Sequence, residues 1–197
     1  MAVTMDDIKR LRAMTGAGMM DVKSALEEAG GNVDKAATLL RERGIAKAAK
    51  KADRVASEGF IGSYIHHNGK VATLLELNCE TDFVARNEQF QKLARDLAIH
   101  VAMANPSYKS RDEVPAEDIE AERKVLRMQA KEEGKPEGVI DKIVEGRINK
   151  FFQETTLLEQ PFIKDESKTV EALISEAIAT IGENIQIGKF SRISIGG

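Results

Sequence analysis

From Val71 to Cys79 the chain alternates in character without a break. Val71, Thr73, Leu75, Leu77 and Cys79 fall on one face, and Asn68-Gly69 stands just ahead of them. Period-two alternation marks a strand with one buried face. Asn-Gly is the strongest short hairpin signal. Phe60 to His67 therefore reads as the partner strand. A two-stranded hairpin is not stable alone in water, so the rest of the chain must cover its apolar face.

Most of that remainder has helical periodicity. Thr4 and Asp7 have the spacing of a capping box, with Asp in place of the usual Glu or Gln. Met5, Ile8 and Leu11 follow at helical spacing, and Thr15-Gly16-Ala17-Gly18 makes a turn. Val22, Ala25, Leu26 and Ala29 form one face of a second helix, which Gly30-Gly31 ends. Asn32 caps a third helix bearing Val33, Ala36, Ala37 and Leu40, and Gly44 is expected to stop it. Ile45 to Arg54, rich in Ala and Lys, reads as a solvated linker helix.

Beyond Ser57 the composition changes. After the hairpin comes a helix with Phe90, Leu93, Ala94, Leu97 and Val101 on its core side, ended by Asn105-Pro106. Further helices are predicted over roughly 116–133 and 137–155. The second carries Ile140, Ile143, Val144, Ile148 and Phe151. Pro161 and the polar KDESK stretch read as a loop, and Val170 to Ile181 is the cleanest amphipathic stripe in the chain. Residues 184–195 finish as a strand whose alternation slips near Gly188, which suggests a bulge. The expected architecture is α+β. A three-helix module with a linker helix spans 1–54, and a core of three antiparallel strands packed with helices spans 55–197.

Bulk properties narrow the function. Net charge is −3, so nothing demands a nucleic-acid partner. Residues 1–56 carry 11 lysines and arginines against 8 acidic residues, and the remainder 18 against 24, which suits the N-terminal module to an acidic surface. Cys79 is the single cysteine, so no intrachain disulfide forms, as in a reducing compartment. No stretch approaches the length of a membrane span and the N-terminus lacks a signal-peptide run, so a cytoplasmic location is expected.

Few residues suggest catalysis. His66 and His67 adjoin the hairpin turn and, if in a strand, point to opposite faces, which discourages a shared metal. His100 lies on the long helix and reads as surface or half-buried. Cys79 alternates with core positions. No zinc spacing, phosphate loop or nucleophile elbow is present. The AKAAKK stretch at 46–51 reads as a solvated face rather than a phosphate site.

Thr81-Asp82-Phe83-Val84 is different, because it lies where a strand hands over to a helix. Thr81 or Asp82 can cap that helix. Phe83 and Val84 have no apolar partner on their own helical faces before Phe90. Two readings stand: a hydrophobic staple fixing the approach of the chain, or an exposed apolar knob beside a carboxylate, suited to insertion into a partner.

Two stretches carry a resemblance. Thr15 to Lys23 (TGAGMMDVK) and Asn78 to Arg86 (NCETDFVAR) resemble the two signatures of the elongation factor Ts family. Shorter similarities run through Arg43-Gly44, Lys47 to Lys51, Glu145 to Arg147, Gln160 to Phe162 and Ile181 to Ile185, in order along the chain. The resemblance implies a ubiquitin-associated-like helical module followed by an α+β core. It implies a guanine-nucleotide exchange factor, not an enzyme, that binds the GTPase elongation factor Tu without a cofactor or metal of its own. In that family the Thr-Asp-Phe-Val segment intrudes near the nucleotide and disturbs magnesium. Here Thr81, Asp82, Phe83 and Val84 take that part, with Phe83 the wedge and Asp82 its polar companion. Met19, Met20, Val22, Lys23 and His66 are implied as further partner contacts. Longer members duplicate the core, whereas short ones such as this are associated with homodimers, here implying a heterotetramer with the GTPase. Ser191 stands where some short relatives carry a cysteine, so no disulfide would link such a dimer. Two other classes compete: a chaperone-like or RNA-associated binding module using the basic linker, and a hydrolase built on His66, Cys79 or Asp82.

Overall fold

The computed structural model describes residues 3–196. Three helices open the chain: α1 (Met5–Thr15), α2 (Met19–Glu28) and α3 (Val33–Ala49). The capping box forms as its spacing implied: Asp7 N–H donates to Thr4 Oγ1 (3.1 Å) and Thr4 N–H to Asp7 Oδ2 (3.2 Å). Asn32 accepts from Lys35 N–H (3.0 Å) and starts α3. Ile8, Leu11, Val22, Ala25, Leu26 and Ala36 close a small separate core.

The linker reading needs correction. Gly44 does not stop α3, which runs on to Ala49 with its second half packed along a later helix, α8 (Val170–Ile181). Gly44 is buried, and a β-carbon placed on it would meet Ala179 Cβ at 3.6 Å. Ala48 belongs to the main core. The small residues that suggested weak apolar surface are those that let two helix axes approach closely.

In the core domain β1 (Glu58–Ile65) pairs antiparallel with β2 (Val71–Cys79), and β2 with β5 (Gln186–Ser194), giving the order β1-β2-β5. β1 ends two residues earlier than expected. His66 and His67 lie in the turn, where His66 O accepts from Gly69 N–H (2.8 Å). Gly69 takes φ +69°, which a residue with a side chain rarely adopts. The bulge at Gly188 is present: register slips between Leu75 and Leu77, and Glu76 accepts from Lys189 N–H (3.2 Å) across the gap. A single-turn helix, α4 (Asp82–Ala85), leads to α5 (Glu88–Ala104), which packs on one face of the sheet. Leu75, Leu77, Phe90, Leu97, Val101 and Ile178 are central to the core there.

α6 (Ala116–Glu132) and α7 (Glu137–Thr155) pair around their own small core of Leu126, Ala130, Ile140, Val144, Ile148 and Phe152. The loop predicted over Pro161 and the KDESK stretch is instead a two-stranded ribbon, β3 (Pro161–Phe162) with β4 (Asp165–Thr169). Proline is tolerated at the first position of an edge strand, and Phe162 anchors the ribbon in the core. Beneath it lies His100, which is fully buried rather than half-exposed. Its Nδ1 accepts from Ile163 N–H (3.2 Å) and its Nε2 bonds Gln160 Oε1 (2.9 Å). Thr73, opposite, donates to Ala98 O (2.7 Å).

Candidate functional site

β2 ends at Cys79, and the chain turns sharply into α4. The Cys79 thiol is buried, contacts Thr81 O at 3.2 Å, and is pushed up to about 11, first by burial and then by the negative charge of Glu183. A thiol so protonated is a poor nucleophile. Thr81 has extended backbone angles and its Oγ1 accepts from Val84 N–H (3.4 Å), capping α4. Within that one turn the side chains diverge. Ala85 is buried, Val84 packs partly against the core, and Phe83 is 85% exposed. Asp82, also exposed, pairs with Arg86 at 3.0 Å.

The chain restarts its helix immediately afterwards. Asn87 Oδ1 accepts from Gln89 N–H (2.8 Å) and Phe90 N–H (3.4 Å), and Gln91 Nε2 donates to Ala85 O (3.2 Å). This second cap changes the helix direction, so Phe83 does not share the buried face of Phe90. Of the two readings of Phe83, the exposed knob is the one that matches the fold. Period counting along one continuous helix could not decide this, because the helix is not continuous.

A buttress for this turn was not foreseen from spacing. Glu183 follows Gly182, whose φ of +94° ends α8. Glu183 Oε2 accepts from Glu80 N–H and Thr81 N–H, both at 3.0 Å, and Oε1 accepts from Thr81 Oγ1–H at 2.6 Å. Its neighbour Asn184 donates its own N–H to Glu80 Oε1 (2.6 Å). The buried Asn184 amide also donates to Ala52 O (3.3 Å) and Arg54 O (2.7 Å). Ile181 to Ile185 drew attention only as a similar stretch. No sequence rule links residues a hundred positions apart.

The remaining candidates do not join this turn. Met19, Met20 and Lys23 are exposed on α2. Val22 is not: it is fully buried in the module core, which overturns its assignment as a surface contact. It shapes α2 from beneath. His66 lies at the hairpin end of β1 and β2, its Nδ1 2.9 Å from Tyr64 Oη and its ring centroid 4.2 Å from that of His67. The two histidine rings therefore meet in a turn, tilted by 59°, rather than face apart. The length of β2, at about 3.3 Å per residue, separates His66 from Thr81 by roughly 25 Å. A catalytic grouping of His66 with Cys79 or Asp82 does not exist in this fold. Among the described residues no cluster of His, Cys, Asp or Glu could hold a metal, and no helix is long and apolar enough to cross a membrane.

Comparison with known proteins agrees with the two signatures. The family model described as elongation factor TS matches residues 2–196. Elongation factor Ts of Acetivibrio thermocellus is 55% identical over 194 residues, covering 98% of this chain and 90% of that protein. That of Nitratidesulfovibrio vulgaris is 54% identical over 196 residues, covering 100% and 98%. That of Thermosipho melanesiensis is 56% identical over 189 residues, covering 96% of each.

Proposed function

Because the chain belongs to the elongation factor Ts family, we propose that it serves translation elongation as a guanine-nucleotide exchange factor. It binds the GTPase elongation factor Tu, promotes loss of GDP, and leaves when GTP binds. The observation that carries this reading is Phe83, 85% exposed on a turn whose other apolar residues are tied to the core. A large aromatic held out into solvent on a buttressed support is suited to insertion into a partner.

The chemistry is opposition rather than catalysis. A GTPase holds its nucleotide through a phosphate loop and a bridging magnesium, and magnesium requires near-ideal octahedral geometry. Phe83 enters beside that site and shifts the elements that support the ion, with Thr81, Asp82 and Val84 shaping the contact. Factor and nucleotide then weaken each other's binding by the same factor, as linkage requires. No bond is made or broken, and the chain needs no cofactor of its own. The helical module supplies affinity through the face carrying Met19, Met20 and Lys23, and His66 touches the partner at a second place.

The sheet face turned away from α5 explains the assembly we propose. Ile61, Ile65, Leu74, Ile193 and Ile195 are each more than half exposed there. A bare apolar sheet face of this size belongs to an interface. A second copy covers it, giving a cytoplasmic homodimer that binds two GTPase molecules and no nucleic acid directly. The exchange reading is tested by measuring release of a fluorescent GDP from elongation factor Tu with and without this protein. Acceleration that grows with its concentration and saturates is expected, and an unchanged rate refutes it.

A further inference from the structure

We infer that Glu183 is a positioning residue for the Thr81–Val84 turn, and that with Asn184 it registers that turn against the end of the helical module. The inference rests on the exchange function proposed above and adds the group that aims its wedge.

α4 is a single turn of four residues. A helix that short has no stability of its own. Phe83, being 85% exposed, contributes no packing that could hold it. Its direction is therefore set by Ala85 and Val84, which pack on the core, and by the bonds at the two ends of the turn. At the far end the Gln91 amide holds Ala85 O. At the near end everything passes through Thr81. Its hydroxyl must accept from Val84 N–H to cap α4, so its lone pairs must face the helix and its proton must point elsewhere. Glu183 Oε1 takes that proton at 2.6 Å, while Oε2 holds the N–H groups of Glu80 and Thr81 at 3.0 Å each. One side chain thus fixes both the backbone before the turn and the orientation of its cap.

Asn184 extends the connection. Its N–H holds Glu80 Oε1, and its amide holds Ala52 O and Arg54 O, in the segment just beyond α3. Lys51 Nζ also donates to Gly182 O. The Gly182–Asn184 stretch is thereby bonded on one side to the wedge and on the other to the chain leaving the module. A partner gripped by the module meets Phe83 at a set distance and angle. A loose wedge lowers the rate within the complex more than it lowers affinity, because the module still docks.

The test compares wild type with Glu183→Ala, Glu183→Asp and Glu183→Gln. GDP release from elongation factor Tu is followed across factor concentrations, and amide exchange at Glu80 and Thr81 is followed in the free protein. Losing charge-assisted bonds of this kind changes an equilibrium by about tenfold or more. Glu183→Ala is expected to lower the saturating rate by about that factor, with the half-saturating concentration shifted less than about twofold. Its Glu80 and Thr81 amides should exchange faster. Glu183→Asp, which keeps the charge but draws it back by one methylene, should do the same, and it decides the matter if the alanine variant fails to fold. Glu183→Gln keeps one oxygen for the two amides but loses the charge and the acceptor for the Thr81 proton, offering an N–H to that hydroxyl instead, so it should fall between wild type and the alanine variant. Wild-type saturating rates in both the alanine and aspartate variants, or a glutamine variant as defective as they are, would overturn the assignment. If wild type itself releases no GDP, the exchange reading fails, and unchanged amide protection in the alanine variant would separately end the positioning claim.

Discussion

Gly62 in β1 lies so close beneath α5 that a β-carbon built on it would sit 2.1 Å from the carbonyl oxygen of Ala94. Both groups in this contact are backbone, so neither can rotate away. Gly62→Ala must push β1 off the helix. Overpacking of this kind costs about 3 kcal/mol. In a domain this size each kcal/mol lowers Tm by about 2–4 °C. Calorimetry should therefore show a fall of roughly 10 °C, whereas Gly138→Ala and Gly146→Ala, with open space around them and ordinary backbone angles, should show far less.

His100 gives the fold a pH dependence. Burial holds its imidazole below the ordinary value, and the Gln160 bond opposes this only in part. The buried ring is neutral, with Nδ1 accepting from Ile163 N–H and Nε2–H donating to Gln160. Gln160 keeps its oxygen toward the ring because its amide nitrogen donates to Glu154 O (2.7 Å). Since the folded pKa is depressed, stability is complete above the unfolded value of about 6.5 and declines as pH falls below it, because the unfolded chain then binds a proton that the folded one refuses. Urea unfolding should lose up to about 1.4 kcal/mol per pH unit in that window from this group. His100→Gln, less stable overall, should lack that part of the slope.

The dimer proposed through the bare sheet face predicts that Ile193→Lys weakens self-association. Ile193 is 70% exposed and opposite Ala72 in the β2–β5 register, so a charge there costs the free protein little. Placed within an apolar interface it should raise the dimer dissociation constant at least about tenfold. Sedimentation velocity across micromolar concentrations should show a dimer for wild type, insensitive to reductant, and a monomer for the variant. A wild-type chain monomeric at all concentrations would refute the proposal.

Removing residues 1–54 should do two things. Loss of the module should weaken binding to elongation factor Tu while leaving measurable GDP release at saturation. It also removes Ala48 from the main core and strips the buried Asn184 amide of its acceptors at Ala52 and Arg54. The truncated core should therefore melt several degrees lower. Unchanged affinity for the partner would contradict the role assigned to the module.

Elements that signal through local periodicity were legible in the sequence. The β1–β2 hairpin, α5, the α6–α7 pair and α8 all lie within a few residues of where their stripes placed them, and the bulge sits at Gly188. What escaped depends on contacts between distant segments. Gly44 reads locally as a stop signal, yet it is continued through because Ala179 packs against it. His100 reads as a helix-surface residue, yet the β3–β4 ribbon buries it. The Glu183 buttress spans 102 positions. Val22, by contrast, is placed on the buried face by its own stripe with Ala25 and Leu26, and only the family resemblance makes it a partner contact. Thr81, Asp82, Phe83 and Val84 stand out because they break the pattern of the elements on either side, and the role proposed for them rests on the family resemblance.

The central claim is that Phe83 is a wedge rather than a core residue. Stopped-flow release of GDP from elongation factor Tu, run with wild type and Phe83→Ala at equal concentrations and paired with thermal melts, tests it most directly. Loss of an inserted aromatic costs about 2–4 kcal/mol, so release should slow by at least about tenfold. Tm should move little, because the side chain is 85% exposed. Release at the wild-type rate, or a large drop in Tm with normal exchange at low temperature, would contradict the account.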